Sequence, residues 1–166
     1  MNLLQLIKER AYKEGDFLLA SGKRSTKYVD LSKLTLTPDG LTAVLDIIRA
    51  GWDVSKWDAV GGPVLGAVPI VTGLLFRGAK RGFFVRSTPK RTGETIEGEL
   101  NAGETVLLIE DVVTSGQSLF KACEAVLNKG AKVGMAIAVL DREEGATELM
   151  AQCGVPLFSL VKLSDF

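Results

Sequence analysis

The 166-residue chain contains no histidine. That absence removes a Ser-His-Asp triad, a histidine-ligated zinc and any imidazole general base from the chemistry open to it. Cysteine is scarce. Cys123 and Cys153 stand alone, without CxxC or metal-ligand spacing, as buried thiols of a cytosolic protein rather than a disulfide or a nucleophile. No apolar run approaches the ~18 residues of a transmembrane helix. The N-terminal MNLLQLIKERAYKEGD places charges among its apolar positions too early for a secretory signal. Excess charge is missing as well: twenty Lys and Arg against twenty Asp and Glu give a formal net charge of zero. Neither nucleic acid nor a membrane surface is implied by that balance, and a cytoplasmic location is expected. There are no repeats or low-complexity linkers, and one domain with a substantial core is expected at this length.

What the chain does have is alternation of apolar elements. Leu3, Leu4, Ile7 and Ala11 share one face of an N-terminal helix expected to end near Gly15. Residues 17–31 read as short extended segments around a turn at Ser21 and Gly22. Thr37, Pro38 and Asp39 start a helix with proline at its first position, continuing to Gly51. A strand over 58–60 leads into a Gly61-Gly62-Pro63 turn, and a helix over 67–75 is followed by a strand over 83–86. Further strands are expected over 106–109, 133–140 and 157–163, with helices over 119–129 and 146–152. Repeated β-turn-α units of this length predict an α/β fold with a mostly parallel sheet. Residues 1–35 do not fit that rhythm and are expected to form a cap over the sheet.

The segment VLLIEDVVTSGQS (106–118) is the most informative. Its continuous apolar run is the pattern of a strand covered on both faces. Ligands in open parallel sheets bind beyond the carboxyl ends of the strands, which is where Glu110 and Asp111 are expected. Val112 and Val113 follow. Thr114, Ser115, Gly116, Gln117 and Ser118 then offer hydroxyls and backbone N–H groups at a helix start, a setting that favours an anion. Ser118 reads as the N-cap and Gly130 as the residue after the helix. With one glycine and no lysine, the cradle is not a nucleoside triphosphate loop and suits a single phosphomonoester. The adjoining carboxylates suit ribose hydroxyls or a cationic transition state. An acidic turn before a hydroxyl-capped helix is the bland alternative.

Three more segments carry candidate chemistry. Pro63, Val64, Leu65 and Gly66 lie between a strand and a helix, where backbone N–H groups suit a diphosphate. A tight connection explains them equally well, and the spacing is not that of a Rossmann site. Residues 86–98 hold Arg86, Lys90 and Arg91, with Pro89 and Gly93 breaking regular structure. They read either as a solvated loop or as a mobile lid that brings cations onto a leaving group. Arg142, at the end of the strand over 133–140, can clamp a carboxylate through two hydrogen bonds, or pair with Asp141 or Glu144.

Together these segments resemble the orotate phosphoribosyltransferases, within the type I phosphoribosyltransferase family, over almost the whole chain. GDFLLASGKRSTKYVDL (15–31) is similar to that family's hood segment and GGPVLGAVPI to its pyrophosphate loop. VRSTPKRTGETIEG resembles its catalytic loop, VLDREEGA its orotate-binding strand end and PLFSLVKLSDF its closing strand and helix. The resemblance implies a type I phosphoribosyltransferase-like fold with a small N-terminal hood. It implies transfer of a phosphoribosyl group from phosphoribosyl pyrophosphate (PRPP) to orotate, in pyrimidine biosynthesis. It assigns Glu110, Asp111 and Lys90 to catalysis. PRPP falls to Arg86, Lys90, Glu110, Asp111, Val112, Val113, Thr114, Ser115, Gly116, Gln117 and Ser118. The leaving pyrophosphate falls to Pro63, Val64, Leu65 and Gly66, and orotate to Thr114, Arg142, Tyr28 and Val29. Mg²⁺ would arrive bound to PRPP, without direct protein ligands. A homodimer is implied, with the Lys90 loop acting in the neighbouring subunit.

Several positions depart from the family pattern. Ser87 and Thr92 replace a basic residue and a histidine of the loop, which is also shorter by about two residues between Gly93 and Ile96. Ala20 and Gly66 stand where some members carry lysine. Each lost cation weakens leaving-group stabilisation by on the order of 1–3 kcal/mol where the contact matters. Two alternatives therefore stay open: transfer to another base, and a PRPP-binding regulatory protein without catalysis.

Overall fold

The computed structural model describes residues 2–18, 22 and 24–166. Ala20 and the expected turn residue Ser21 lie outside the described residues. The elements run α1 (Leu3–Arg10), β1 (Tyr12–Leu18), β2 (Arg24–Val29), α2 (Ser32–Thr35), α3 (Pro38–Gly51), β3 (Ala59–Pro63) and α4 (Ala67–Leu75). They continue with β4 (Gly82–Val85), β5 (Ile96–Gly98), β6 (Thr105–Val113), α5 (Gln117–Asn128), β7 (Lys132–Asp141), α6 (Ala146–Gln152) and β8 (Leu157–Lys162).

The main sheet has the order β5-β4-β3-β6-β7-β8, parallel throughout except that β5 runs antiparallel to β4. A separate antiparallel ribbon pairs β1 with β2. The predicted α/β architecture with a mostly parallel sheet is what forms. Its core has two halves, one on each face of the sheet. Leu107 and Ile109 of β6 point into a cluster with α1, α3 and α4, whereas Val106 and Leu108 face α5 and α6. Alternating side chains on a strand reach opposite faces. The uninterrupted apolar run of β6 is therefore a consequence of cover on both sides.

Several boundaries differ from the expectation, each for a physical reason. α1 stops at Arg10 rather than near Gly15, because Tyr12 already pairs with Val29 in the ribbon. Its start is fixed by a capping box between Asn2 and Gln5. Gly61, Gly62 and Pro63 form no turn; they are strand residues opposite Phe83, Phe84 and Val85. The Phe83 ring occupies the space that a side chain on Gly61 would need. β6 runs on to Val113, so Glu110 and Asp111 lie within the strand and not past it. The two neighbouring ladders explain this: pairing to β3 ends at Leu108, whereas pairing to β7 continues to Val113. β5 is too short to be seen in the sequence and has a single buried side chain, Ile96.

Cys123 and Cys153, isolated in sequence, meet between α5 and α6 as free thiols. Burial pushes the Cys123 thiol up to about 12, and the neighbouring Cys153 adds to the shift.

Candidate active site

Strand order reverses between β3 and β6. From β3 the chain passes through α4 to β4 on one side; from β6 it passes through α5 to β7 on the other. Because α4 and α5 pack on opposite faces of the sheet, the carboxyl ends of β3 and β6 diverge and leave a crevice. Such switch points are the usual ligand sites of open α/β sheets. Two loops flank this one: residues 63–66 after β3 and residues 114–116 after β6.

The second loop lines a small cavity of about 70 Å³ together with Glu110, Val112, Val113, Gln117, Ser118 and Leu119. That volume is enough for a tetrahedral anion. Thr114, Ser115, Gln117 and Ser118 are exposed at its rim. Ser118 is not the N-cap. Gly116 takes that position in the left-handed conformation, with φ of 81°. Among the described residues no side chain caps α5, which leaves its first-turn N–H groups to an outside acceptor. At the other end Gly130 is left-handed, as expected of a residue closing a helix.

Glu110 and Asp111 are adjacent but differently placed. Glu110 is 6% exposed. Burial pushes its carboxyl well above the usual glutamate range, and the neighbouring Asp111 charge adds to this. Its Oε1 accepts a hydrogen bond from the Asp111 backbone N–H at 3.2 Å. Asp111 is half-buried and accepts from the Val112 N–H at 2.7 Å. Its carboxylate lies directly over Gly66, where any Cβ would collide with it. A lysine at position 66 is therefore incompatible with this placement of Asp111. The Val64–Leu65 peptide bond in the same loop is cis.

Arg86 borders a second cavity of about 340 Å³, which it shares with Pro63, Val64, Gln117 and Ser118 at the crevice end. Lys90 does not line that cavity. Its Nζ lies 2.7 Å from Glu97 Oε2, and Arg86 Nη1 lies 3.2 Å from the other oxygen of the same carboxylate. Hydrogen bonding to Lys90, with help from Arg86, holds the Glu97 carboxyl below its usual range. Backbone bonds from Lys90 N–H to Glu94 O (2.8 Å) and from Gly93 N–H to Lys90 O (2.9 Å) fold the loop on itself. Lys129, at the end of α5, reaches Glu94 at 3.4 Å. Sequence reasoning gave Glu97 no separate role; its only signal was membership of the IEG string.

Arg142 is 7% exposed, yet it is satisfied by the chain itself. Its Nε donates to Glu144 at 3.0 Å, and its terminal nitrogens donate to Ser25 Oγ at 3.2 Å and to Lys27 O at 3.4 Å. The carboxylate partner weighed from sequence is thus Glu144. The same arginine ties the sheet to the β1–β2 ribbon. Tyr28, also in the ribbon, is 39% exposed and stacks on Phe17 with ring centroids 5.3 Å apart, whereas Val29 is buried. Among the described residues, no three Cys, Asp or Glu side chains converge as a metal cage, and no helix is long and apolar enough to cross a membrane.

This geometry agrees with three comparisons. The phosphoribosyl transferase domain model matches residues 42–154. The orotate phosphoribosyltransferase of Aquifex aeolicus is 43% identical over 176 aligned positions, covering 98% of this chain and 94% of that protein. The crystal structure of orotate phosphoribosyltransferase from Aeropyrum pernix superimposes with a TM-score of 0.87 at 34% identity, over 98% of this chain and 94% of that one. The Mycobacterium tuberculosis orotate phosphoribosyltransferase in complex with PRPP gives a TM-score of 0.79 at 31% identity, over 98% and 95% of the two chains. A crevice at the switch point, a phosphate-sized cradle and likeness along nearly the full length of both partners lead to one conclusion: the chain belongs to the orotate phosphoribosyltransferase family.

Proposed function

We propose that this chain transfers the phosphoribosyl group of PRPP to N1 of orotate, releasing pyrophosphate and forming orotidine 5′-monophosphate. The observation that carries this reading is the meeting of the cradle, the two carboxylates and the 63–66 turn at one crevice. The 5′-phosphate seats in the cradle on the first-turn N–H groups of α5 and the hydroxyls of Thr114, Ser115 and Ser118. Asp111, the more open of the two acids, accepts hydrogen bonds from the ribose hydroxyls. Glu110 holds its own position through the Asp111 N–H.

Breaking the bond from ribose C1 to the diphosphate oxygen leaves positive charge on the sugar. Asp111 stabilises that charge, and the 63–66 turn with Arg86 and Lys90 stabilises the departing diphosphate. Orotate enters as its N1 anion, so no general base is required. Arg142 and the backbone at Tyr28 and Val29 orient it, with Arg142 exchanging Glu144 for the orotate carboxylate. Mg²⁺ fits as an ion carried by the diphosphate, since the two acids at the crevice are too few for a cage and Mg²⁺ sheds water reluctantly. When bound, it neutralises leaving-group charge.

The reading includes a cytosolic enzyme acting as a homodimer. Phe76 (88% exposed) and Leu36 (71% exposed) flank an apolar cleft of about 530 Å³ between α3 and α4. We place the contact with a second copy there, where burying Phe76 and Leu36 removes apolar surface from water. In the dimer the 86–98 loop closes over the neighbouring subunit's crevice. Loss of orotate absorbance with PRPP and Mg²⁺ tests the reaction. Turnover of a different base, with none of orotate, rejects it.

The loop lacks histidine, and its Arg86 and Lys90 are paired internally, which favours a second reading: PRPP binding without catalysis. Calorimetry showing PRPP binding by a chain that turns over no base selects that alternative.

A further inference from the structure

The cations assigned to the leaving group are paired within the chain itself. Both are held by one side chain of the same hairpin: Lys90 Nζ at 2.7 Å and Arg86 Nη1 at 3.2 Å from the two oxygens of Glu97. We infer that Glu97 is a positioning residue that pairs with Lys90 and Arg86 and yields them to the diphosphate. The inference rests on the proposed role of the loop cations and adds what sets their availability.

Three features support an exchange rather than a purely structural pair. First, Glu97 is not needed to hold the hairpin. β4 and β5 are joined by backbone pairing of Val85 with Ile96 and of Phe83 with Gly98, and Arg86 N–H bonds Thr95 O at 2.8 Å. Second, the three charged side chains are all partly exposed, where ion pairs contribute little to stability and exchange partners readily. Third, Glu97 brings one negative charge to two cations. A diphosphate brings more charge and more acceptor oxygens, so it wins the competition once bound. The Glu94–Lys129 contact, 3.4 Å long and still more exposed, is as readily exchanged. Glu97 thereby acts as an internal substitute for the leaving group, and every turnover must break and remake its two contacts.

The test compares the full-length wild type with Glu97→Gln and Glu97→Asp. Pyrophosphate with Mg²⁺ is titrated by calorimetry, and kcat and KM for PRPP are measured with orotate. Releasing the cations makes Glu97→Gln bind pyrophosphate about two- to five-fold tighter and lowers KM for PRPP by a similar factor. Its kcat does not rise, because product pyrophosphate leaves more slowly. Glu97→Asp, which keeps the charge, returns both constants toward wild type. Pyrophosphate affinity that is unchanged or weaker in Glu97→Gln, in a wild type that turns over orotate, overturns the inference and leaves the reaction standing. Tighter binding in Glu97→Gln by a chain without orotate turnover supports the parking of the cations and rejects the reaction.

Discussion

Glu110 and Asp111 follow each other in β6, and the alternation of the strand gives them unlike surroundings. Glu110 is buried, and its carboxyl is pushed well above the ordinary range by that burial. A carboxyl whose folded pKa is raised holds its proton where the unfolded chain has already released it. The folded state is then favoured fully below the ordinary glutamate range and loses that advantage as pH rises toward the folded value. Glu110→Gln, which needs no proton, is expected to melt above wild type at pH 7. The difference should vanish near pH 4, within the range where glutamate is protonated even when unfolded. Thermal melts monitored by circular dichroism across that range check this. Arg142 is the second informative residue. Its guanidinium faces Glu144, Ser25 and Lys27. On the proposed reading Arg142→Ala raises KM for orotate by about ten-fold or more, because a charge-assisted contact is lost. KM for PRPP should stay within about two-fold, which separates base binding from donor binding in steady-state kinetics.

The turn after β3 shows what an element contributes beyond its residues. Gly66 has no Cβ, and the Asp111 carboxylate fills the space where one would be. Gly66→Ala must displace that carboxylate or the turn. That carboxylate is the far end of a half-buried side chain and can move, so a stability loss below about 1 kcal/mol is expected, with a larger proportional loss of kcat. Denaturant unfolding and steady-state rates measure the two separately. The turn also illustrates which elements the sequence makes legible. α4 (Ala67–Leu75), α6 (Ala146–Gln152) and the core of β7 are marked by apolar runs with clear breakers at their ends. Gly61 and Gly62 mislead because glycine in a strand signals a turn until the facing Phe83 ring and Ile109 carbonyl are known. The cradle after β6 was readable because its chemistry is contiguous in the chain. The Lys90–Glu97 pair was not: it depends on how a three-residue strand folds back along β4, which no local pattern encodes.

At the scale of the molecule, the proposed reading places the exposed Phe76 and Leu36 and the 86–98 loop in a dimer of two copies of the chain. If the lid acts in the neighbouring subunit, two inactive variants can repair each other. Lys90→Ala lacks a working lid but keeps Asp111; Asp111→Asn is the reverse. Random mixing makes half the dimers heterodimers, and each of these has one crevice with an intact Asp111 and an intact partner lid. Recovery of about a quarter of wild-type activity is expected for a two-fold dimer. A lid acting within its own subunit gives no recovery. Refolding the two variants together and assaying orotate consumption distinguishes the cases.

The divergence of β3 and β6 beyond Leu108 has a consequence for how such a protein changes over time. On the proposed reading, everything that handles the leaving group hangs from β3, β4 and β5. Everything that holds the sugar phosphate and the acceptor hangs from β6, β7 and the ribbon tied to Arg142. The two halves share both core clusters, but the residues assigned to the acceptor, Arg142, Tyr28 and Val29, all belong to one half. The acceptor can be exchanged by redesigning 141–145 and the ribbon while the half that handles the leaving group is left untouched. One scaffold can accommodate new nucleobases by revising one bank of the crevice at a time.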